Sequence, residues 1–545
     1  MCKKRWGEWV VLCLAAAMIL AWPAAPAWPV RRASAAEGPT DAPAGAAGWP
    51  MFAGPHGTFV PHRYGHDLVG NLKDARLAWV SEEDDIGVGK GPYGLKRFLA
   101  AGAKAHPGGR GTPIVAEGAV FAASFRPVGP PYASDTIRTL GTRDENPEAV
   151  WDVWAIEAHD VVVAIDARSG RTRWKAVEQR KGVRVPGLKR GGWGVSPAYH
   201  DGRVFSLGTT GRLYAYDAAT GKKRWEVGLG ETHAMAERAK AEALKENRFA
   251  KLGGWLSSLA VADGVVVVPT FATKPRGLVG VDPSDGRILW QRPKVLSEFS
   301  TPAVVRPGGR ESLLVNSGRG DLRLIDPHSG EVRWTVDGLG PYLGPLSPSD
   351  THVVVNTRRA GADNRDKSVD GRWGAYRFTA EKAEPAWQLP DERRYGFGWH
   401  LDAGPRRKVV VRDGVVYIGH RGPKADGKRD QALLVIREAT GEILQAIEPL
   451  PDTPEHEGFN PLLPMEDRLL TFYDVAHGRS NFGATLFAVS GSGTLSRLSH
   501  GWMVPHTATT GYEVPIEVPY VDGRLYFRTE EGTIVCYDLR QQADE

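Results

Sequence analysis

The sequence predicts an all-β fold: an eight-bladed β-propeller of four-stranded antiparallel blades. An N-terminal strand closes the ring, and loop and helix insertions gather on one face. Three observations lead there. Glycine supplies 65 of the 545 residues, above the ~7% of an ordinary domain, so the chain turns often. A short unit with fixed Asp, Gly and Trp positions returns along the chain, the mark of a repeat architecture. Apolar alternation of period two precedes the copies, as half-buried strands require.

Four copies of the unit are clear. They are Asp166, Gly170 and Trp174; Asp217, Gly221 and Trp225; Asp282, Gly286 and Trp290; and Asp326, Gly330 and Trp334. In each, Gly follows Asp by four and Trp follows by eight. Three weaker copies run over 374–387, 433–444 and 486–495, and an eighth stops after Asp538. The Asp side chain can take backbone N–H groups of a turn. The Gly supplies the positive φ that closes it. The next strand then carries the Trp out to pack on a neighbouring unit, with one N–H to satisfy. Upstream, Asp201-Gly202, Asp263-Gly264 and Asp413-Gly414 mark two-residue hairpin turns. Each unit therefore holds four antiparallel strands, and such units in radial array are propeller blades.

Inner strands are expected to begin near Thr112, Ser196, Ser257, Thr301, Pro345, Val409, Asn460 and Val514, which makes eight blades. The eighth unit lacks its outer strand. Residues 75–80 resemble the outer strand around Trp225. Trp79 is therefore expected to complete the last blade and remove its exposed edge. Residues 49–66 are then expected as a lead-in on the surface, and 37–48 as a flexible linker.

Residues 1–36 read as a secretory signal peptide. Lys3, Lys4 and Arg5 precede an apolar core from Val10 to Ala21, and Ala33-Ser34-Ala35-Ala36 offers small residues for cleavage. The apolar run falls short of the ~20 residues that span a bilayer. The expected location is periplasmic or secreted, with no integral membrane domain after cleavage. The leader holds five of the 69 basic residues and one of the 64 acidic ones. Without it the chain is nearly neutral, which removes the clustered charge that nucleic acid demands. The organisation is leader 1–36, linker and lead-in 37–74, and propeller 75–540, with insertions at 124–160, 231–250 and 357–373.

The repeat closely resembles the pyrroloquinoline-quinone-type propeller repeat, whose mark is Ala/Leu-x-Asp-x-x-Thr-Gly-x-x-x-Trp. The resemblance covers roughly residues 77–540. It implies the fold of quinoprotein alcohol dehydrogenases and their non-enzymatic relatives. The enzymes usually carry two adjacent cysteines over the cofactor, hold calcium with Glu and Asn, and use an Asp base. Here the chain beyond the leader keeps one cysteine, Cys536, expected as a small buried strand residue. No run matches the calcium ligands or the base. The quinone with calcium therefore stands as an alternative rather than an expected cofactor.

In this strand order the long loops collect on one face, opposite the short Asp-Gly and Thr-Gly turns. Binding residues tend to sit on loops held by a rigid scaffold. An aromatic residue shortly precedes most inner strands: Trp193, Trp255, Phe299, Tyr342, Trp399, Phe459 and Tyr512. Such a ring at the channel mouth can stack on a flat ligand, or it can plug the seams between blades. Glu157, His159, His400, His456 and Glu457 fall near the same mouth, where His/Glu pairs suit acid–base work or a cation. No zinc spacing, nucleophile elbow or phosphate loop is present. The expected function is an exported, non-catalytic, monomeric platform that binds a protein or polysaccharide on the loop-rich face. A divergent quinone-dependent oxidoreductase is the alternative, and a hydrolase or lyase using the His/Glu groups a weaker one.

Overall fold

The computed structural model describes residues 48–55, 57–84, 86, 111–128, 157–183, 195–245, 257–271, 276–297, 300–317, 320–339, 344–356, 372–390, 409–423, 429–450, 459, 461–474, 482–504, 517–529 and 532–542. These residues build eight antiparallel sheets, one per repeat, in chain order. Blade one is typical. It runs Ile114–Ala116, Ala119–Pro127, Glu157–Asp166 and Thr172–Val183 from inner strand to outer. The long inner-loop insertion is shorter than the sequence suggests, because Ser124 and His159 both lie within paired strands.

The ring closes as the sequence predicts. Strand Arg76–Val80 pairs antiparallel with Ile534–Asp538, placing Trp79 opposite Cys536 in blade eight. Cys536 is buried. The inner strand of this blade is Tyr520–Val521, later than the expected start at Val514. Blade five differs more. It has three strands, His352–Asn356, Trp373–Phe378 and Ala383–Gln388. Among the described residues no strand is assigned over 344–350, where the inner strand near Pro345 is expected, and Pro345 and Pro348 bring no N–H to a ladder.

The repeat residues form one clamp, used again and again. Asp166, Asp217, Asp282 and Asp326 each accept backbone N–H bonds from the turn that follows. Their glycines take φ between +67° and +80°, the region that favours Gly. The tryptophan N–H then reaches a carbonyl in the next blade's turn. Trp79 donates to Ala167 at 3.0 Å, Trp174 to Ala218 at 2.8 Å, and Trp225 to Pro283 at 3.1 Å. Trp290 donates to Pro327 at 2.8 Å, Trp334 to Thr379 at 3.0 Å, and Trp387 to Glu438 at 2.6 Å. A glycine of the next blade lies under each of these rings except that of Trp334, which meets the glycine-free turn Thr379-Ala380-Glu381-Lys382. A Cβ at Gly221 would sit 2.6 Å from Trp174, and one at Gly330 would sit 2.5 Å from Trp290. Glycine thus serves both the turn and the ring contact.

The lead-in is not on the surface. Trp49, Phe52 and Phe59 are essentially inaccessible. Trp49 exchanges backbone bonds with Val115, the N–H of Tyr199 donates to Pro50, and the N–H of Val304 donates to Gly57. Those three partners lie on the inner strands of blades one, two and four, which line the central channel. Ser347 of blade five donates to the Thr58 carbonyl at 2.9 Å. The segment then leaves over the first hairpin turns of blades six, seven and eight. Arg63 pairs with Asp413, Glu466 accepts from the N–H groups of Tyr64 and Gly65, and His66 meets Asp522 at 2.6 Å. Residues 48–55 and 57–60 therefore plug the channel, and 61–68 strap the turn-side rim. Unpaired inner-strand N–H groups and an apolar channel wall supply the reason, because a surface position would leave both unsatisfied.

Phe59→Ala is expected to cost about 3–5 kcal/mol in urea-induced unfolding. Leu244→Ala, at an exposed site, is expected to change stability by less than about 0.5 kcal/mol.

Candidate functional site

The described part of the loop-rich face centres on a corner between blades one and two. Strand Glu157–Asp166 points Glu157 and His159 to one side by its period of two. Outer strand Thr172–Val183 slips register opposite them. At this bulge Arg180 takes φ +57°, an unusual conformation for a bulky side chain. Helix α1 (Gly230–Lys245) covers the corner from blade two's side. Its buried side is mixed in chemistry. Ala236 packs inward while Leu244 is exposed, and Lys240 is buried instead.

Glu157 and His159 do come together, but around Arg180 rather than as an acid–base pair. Arg180 Nη1 donates to Glu157 Oε2 at 2.5 Å, and its backbone N–H donates to His159 Nδ1 at 2.9 Å. Lys240 Nζ donates to the Arg180 carbonyl at 2.5 Å and lies 3.9 Å from Glu157 Oε1. Burial, and then the Arg180 and Arg126 charges, hold His159 below its ordinary pKa. A neutral ring with its Nδ1 lone pair already engaged is a poor base at that atom.

Asp160, beside them in sequence, faces the other way. Its Oδ1 accepts from Thr209 N and Oγ1, and its Oδ2 from Tyr214 OH, all at 3.1 Å. Burial pushes its carboxyl up to about 6, against those hydrogen bonds and the nearby Lys240 charge. Gly182 and Gly208 leave room for it, since a Cβ at either would lie within 2.5 Å of its oxygens. Sequence reasoning passed over Asp160 and Lys240. Asp160 had a usable signal, an acid opening the apolar run 161–165. Lys240 had none among the other Lys and Glu of its helix.

Phe459 is buried in the apolar cluster between blades six and seven, the seam position that its recurrence allowed. Trp193, Trp255, Phe299, Tyr342, Trp399, His400, His456, Glu457 and Tyr512 lie outside the described residues, as do 1–47 and 357–371. Among the described residues, no group of three His, Cys, Asp or Glu could hold a metal ion. The carboxylates present are also committed, Asp160 to Thr209 and Tyr214 and Glu157 to Arg180. The described residues of this corner do not fit a quinone–calcium pair.

A family model described as outer membrane protein assembly factor BamB matches residues 158–310 and 275–444. The chain belongs to this family of pyrroloquinoline-quinone-type propellers. Among curated proteins none matches the chain. Solved structures that resemble it include the quinohemoprotein alcohol dehydrogenase from Comamonas testosteroni, at 14% identity and TM-score 0.49, covering 91% of this chain and 81% of that one. BamB from Moraxella catarrhalis shares 16% identity at TM-score 0.39, covering 70% and 94%. A europium-containing methanol dehydrogenase shares 11% at TM-score 0.43, covering 79% and 90%. None of these distant likenesses bears on activity.

Asp160 makes a prediction about pH. Its carboxyl is harder to ionise folded than unfolded, so the stability linked to it is fully present below pH 3.8 and lost as pH rises through about 6. Asp160→Asn removes this dependence while keeping an acceptor for Thr209. Relative to that variant, the protein as it stands should gain about 2 kcal/mol between pH 7.5 and pH 4.5, read from urea midpoints at each pH.

Proposed function

We propose that this is an exported, non-catalytic propeller that binds a protein partner through its loop-rich face. Membership of the BamB-described family supports a binding role most directly. Three further features agree with it. The repeat's Asp, Gly and Trp residues are spent on joining blades. The Glu157 and His159 pair is tied into a clasp around Arg180. The lead-in bonds to the inner strands and to the first hairpin turns, at the blade ends opposite the Glu157 corner. Export rests on the leader, with Lys3 to Arg5 ahead of the apolar core and small residues at 33–36. Among the described residues no helix is long and apolar enough to cross a membrane.

The competing reading is a quinone-dependent oxidoreductase, and the two separate in one experiment. The purified protein is titrated with pyrroloquinoline quinone and calcium, following visible absorbance and dye reduction with simple alcohols. The binding-platform reading expects no saturable spectral change and no dye reduction. Saturable quinone binding with turnover would replace it by the enzymatic one.

A further inference from the structure

We propose that helix α1 is a latch on the loop-rich face that opens when His233 takes up a proton. The geometry admits only a neutral ring. His233 Nδ1 lies 2.9 Å from the Thr210 carbonyl, which only accepts, so Nδ1 carries the hydrogen. His233 Nε2 lies 2.9 Å from Arg212 Nη2, which only donates, so Nε2 must offer its lone pair. A second proton would set N–H against N–H and one cation against another. The ring is packed closely against Gly228, where a Cβ would come 2.3 Å from its Cδ2.

The charges around the ring do not relieve this conflict. Arg212 comes from strand Arg212–Asp217, and its acid partner is Glu226 of strand Lys223–Gly228, at 3.2 Å. Glu226 is already shared with Lys223 at 2.6 Å and with Lys181 of blade one at 3.6 Å. On the helix itself Glu237 stands 3.9 Å from Nδ1 and is exposed, where an ion pair contributes little. The turn 208–211 presents Thr210 and no charge.

Histidine is the side chain whose ordinary charge change falls between pH 5 and 8. His233 pins the first turn of α1, and Lys240 pins the later part to the Arg180 carbonyl and near Glu157. Losing the first pin frees the helix to lift, which takes Lys240 away from the Arg180 carbonyl and opens the partly buried Glu157 and His159. That the uncovered corner serves binding rests on the proposed function. The latch itself does not, and its test uses no ligand.

The test is amide hydrogen exchange on the full chain near pH 7.5 and near pH 5, corrected for intrinsic rates. Amides of 230–245 should exchange about tenfold faster at the lower pH, relative to strand Val265–Pro269. His233→Gln offers an oxygen to Arg212 and an amide N–H to Thr210, without a titrating group, and should stay protected at both pH values. Arg212→Gln, which removes the opposing cation, should likewise suppress the acid response. Unchanged protection in the unaltered protein would overturn the latch. Acid release that persists in both variants would also overturn it, by placing the trigger on another group such as Asp160 or His159.

Discussion

The fold depends on one contact repeated around the ring: an indole N–H donated to a carbonyl in the next blade's turn, with a glycine beneath every such ring but that of Trp334. The bond satisfies the only polar atom of a large apolar side chain. The glycine is needed twice over, for its positive φ and because any Cβ would collide with the ring. The Asp four residues earlier holds the turn in shape through its backbone bonds. Sequence spacing, turn geometry and blade-to-blade attraction are therefore one feature seen at three levels.

The clamp is missing where the repeat fades, and other chemistry takes its place. Between blades six and seven, Gln445 exchanges side-chain bonds with the backbone of Leu495, and Tyr417 OH donates to Gly493. Between seven and eight, Trp502 packs edge-on against Tyr537 at 5.2 Å, and Ser499 accepts from the N–H of Leu72. The N-terminal strap binds these same blades. Arg63, Tyr64, Gly65 and His66 meet Asp413, Glu466 and Asp522 in turn. The Tyr520 hydroxyl also donates to Glu466, tying the strap's anchor in blade seven to the inner strand of blade eight. The weakly patterned half of the ring is thus held together by a segment outside the repeat.

This division explains what could be read in advance. The Asp–Gly–Trp spacing made the blades, their order and the closing role of Trp79 legible, because local turn chemistry dictates all three. The plug was not legible. Nothing in residues 49–60 has a period, and their burial follows from a channel that exists only after eight blades have formed. Near Pro345 a strand is expected as at the other inner-strand starts, and Pro345 and Pro348, which bring no N–H, carry the signal against it. At the candidate site, Glu157 and His159 were found by residue type and loop placement. Their shared partner Arg180 depends on a bulge, and Lys240 on the seating of a helix, neither of which spacing reveals.

Residues 61–68 therefore act as a structural element that substitutes for absent clamps. Amide exchange of Glu466→Ala tests this most directly, since Glu466 receives two strap N–H groups and the Tyr520 hydroxyl. Protection should fall in strands of blades six to eight, such as Arg468–Asp474 and Arg524–Arg528. It should hold in Val265–Pro269 and Ser312–Asn316 of blades three and four, where Trp225, Trp290 and Trp334 clamp the neighbours. An equal loss in all eight blades, or none in blades six to eight, would contradict it.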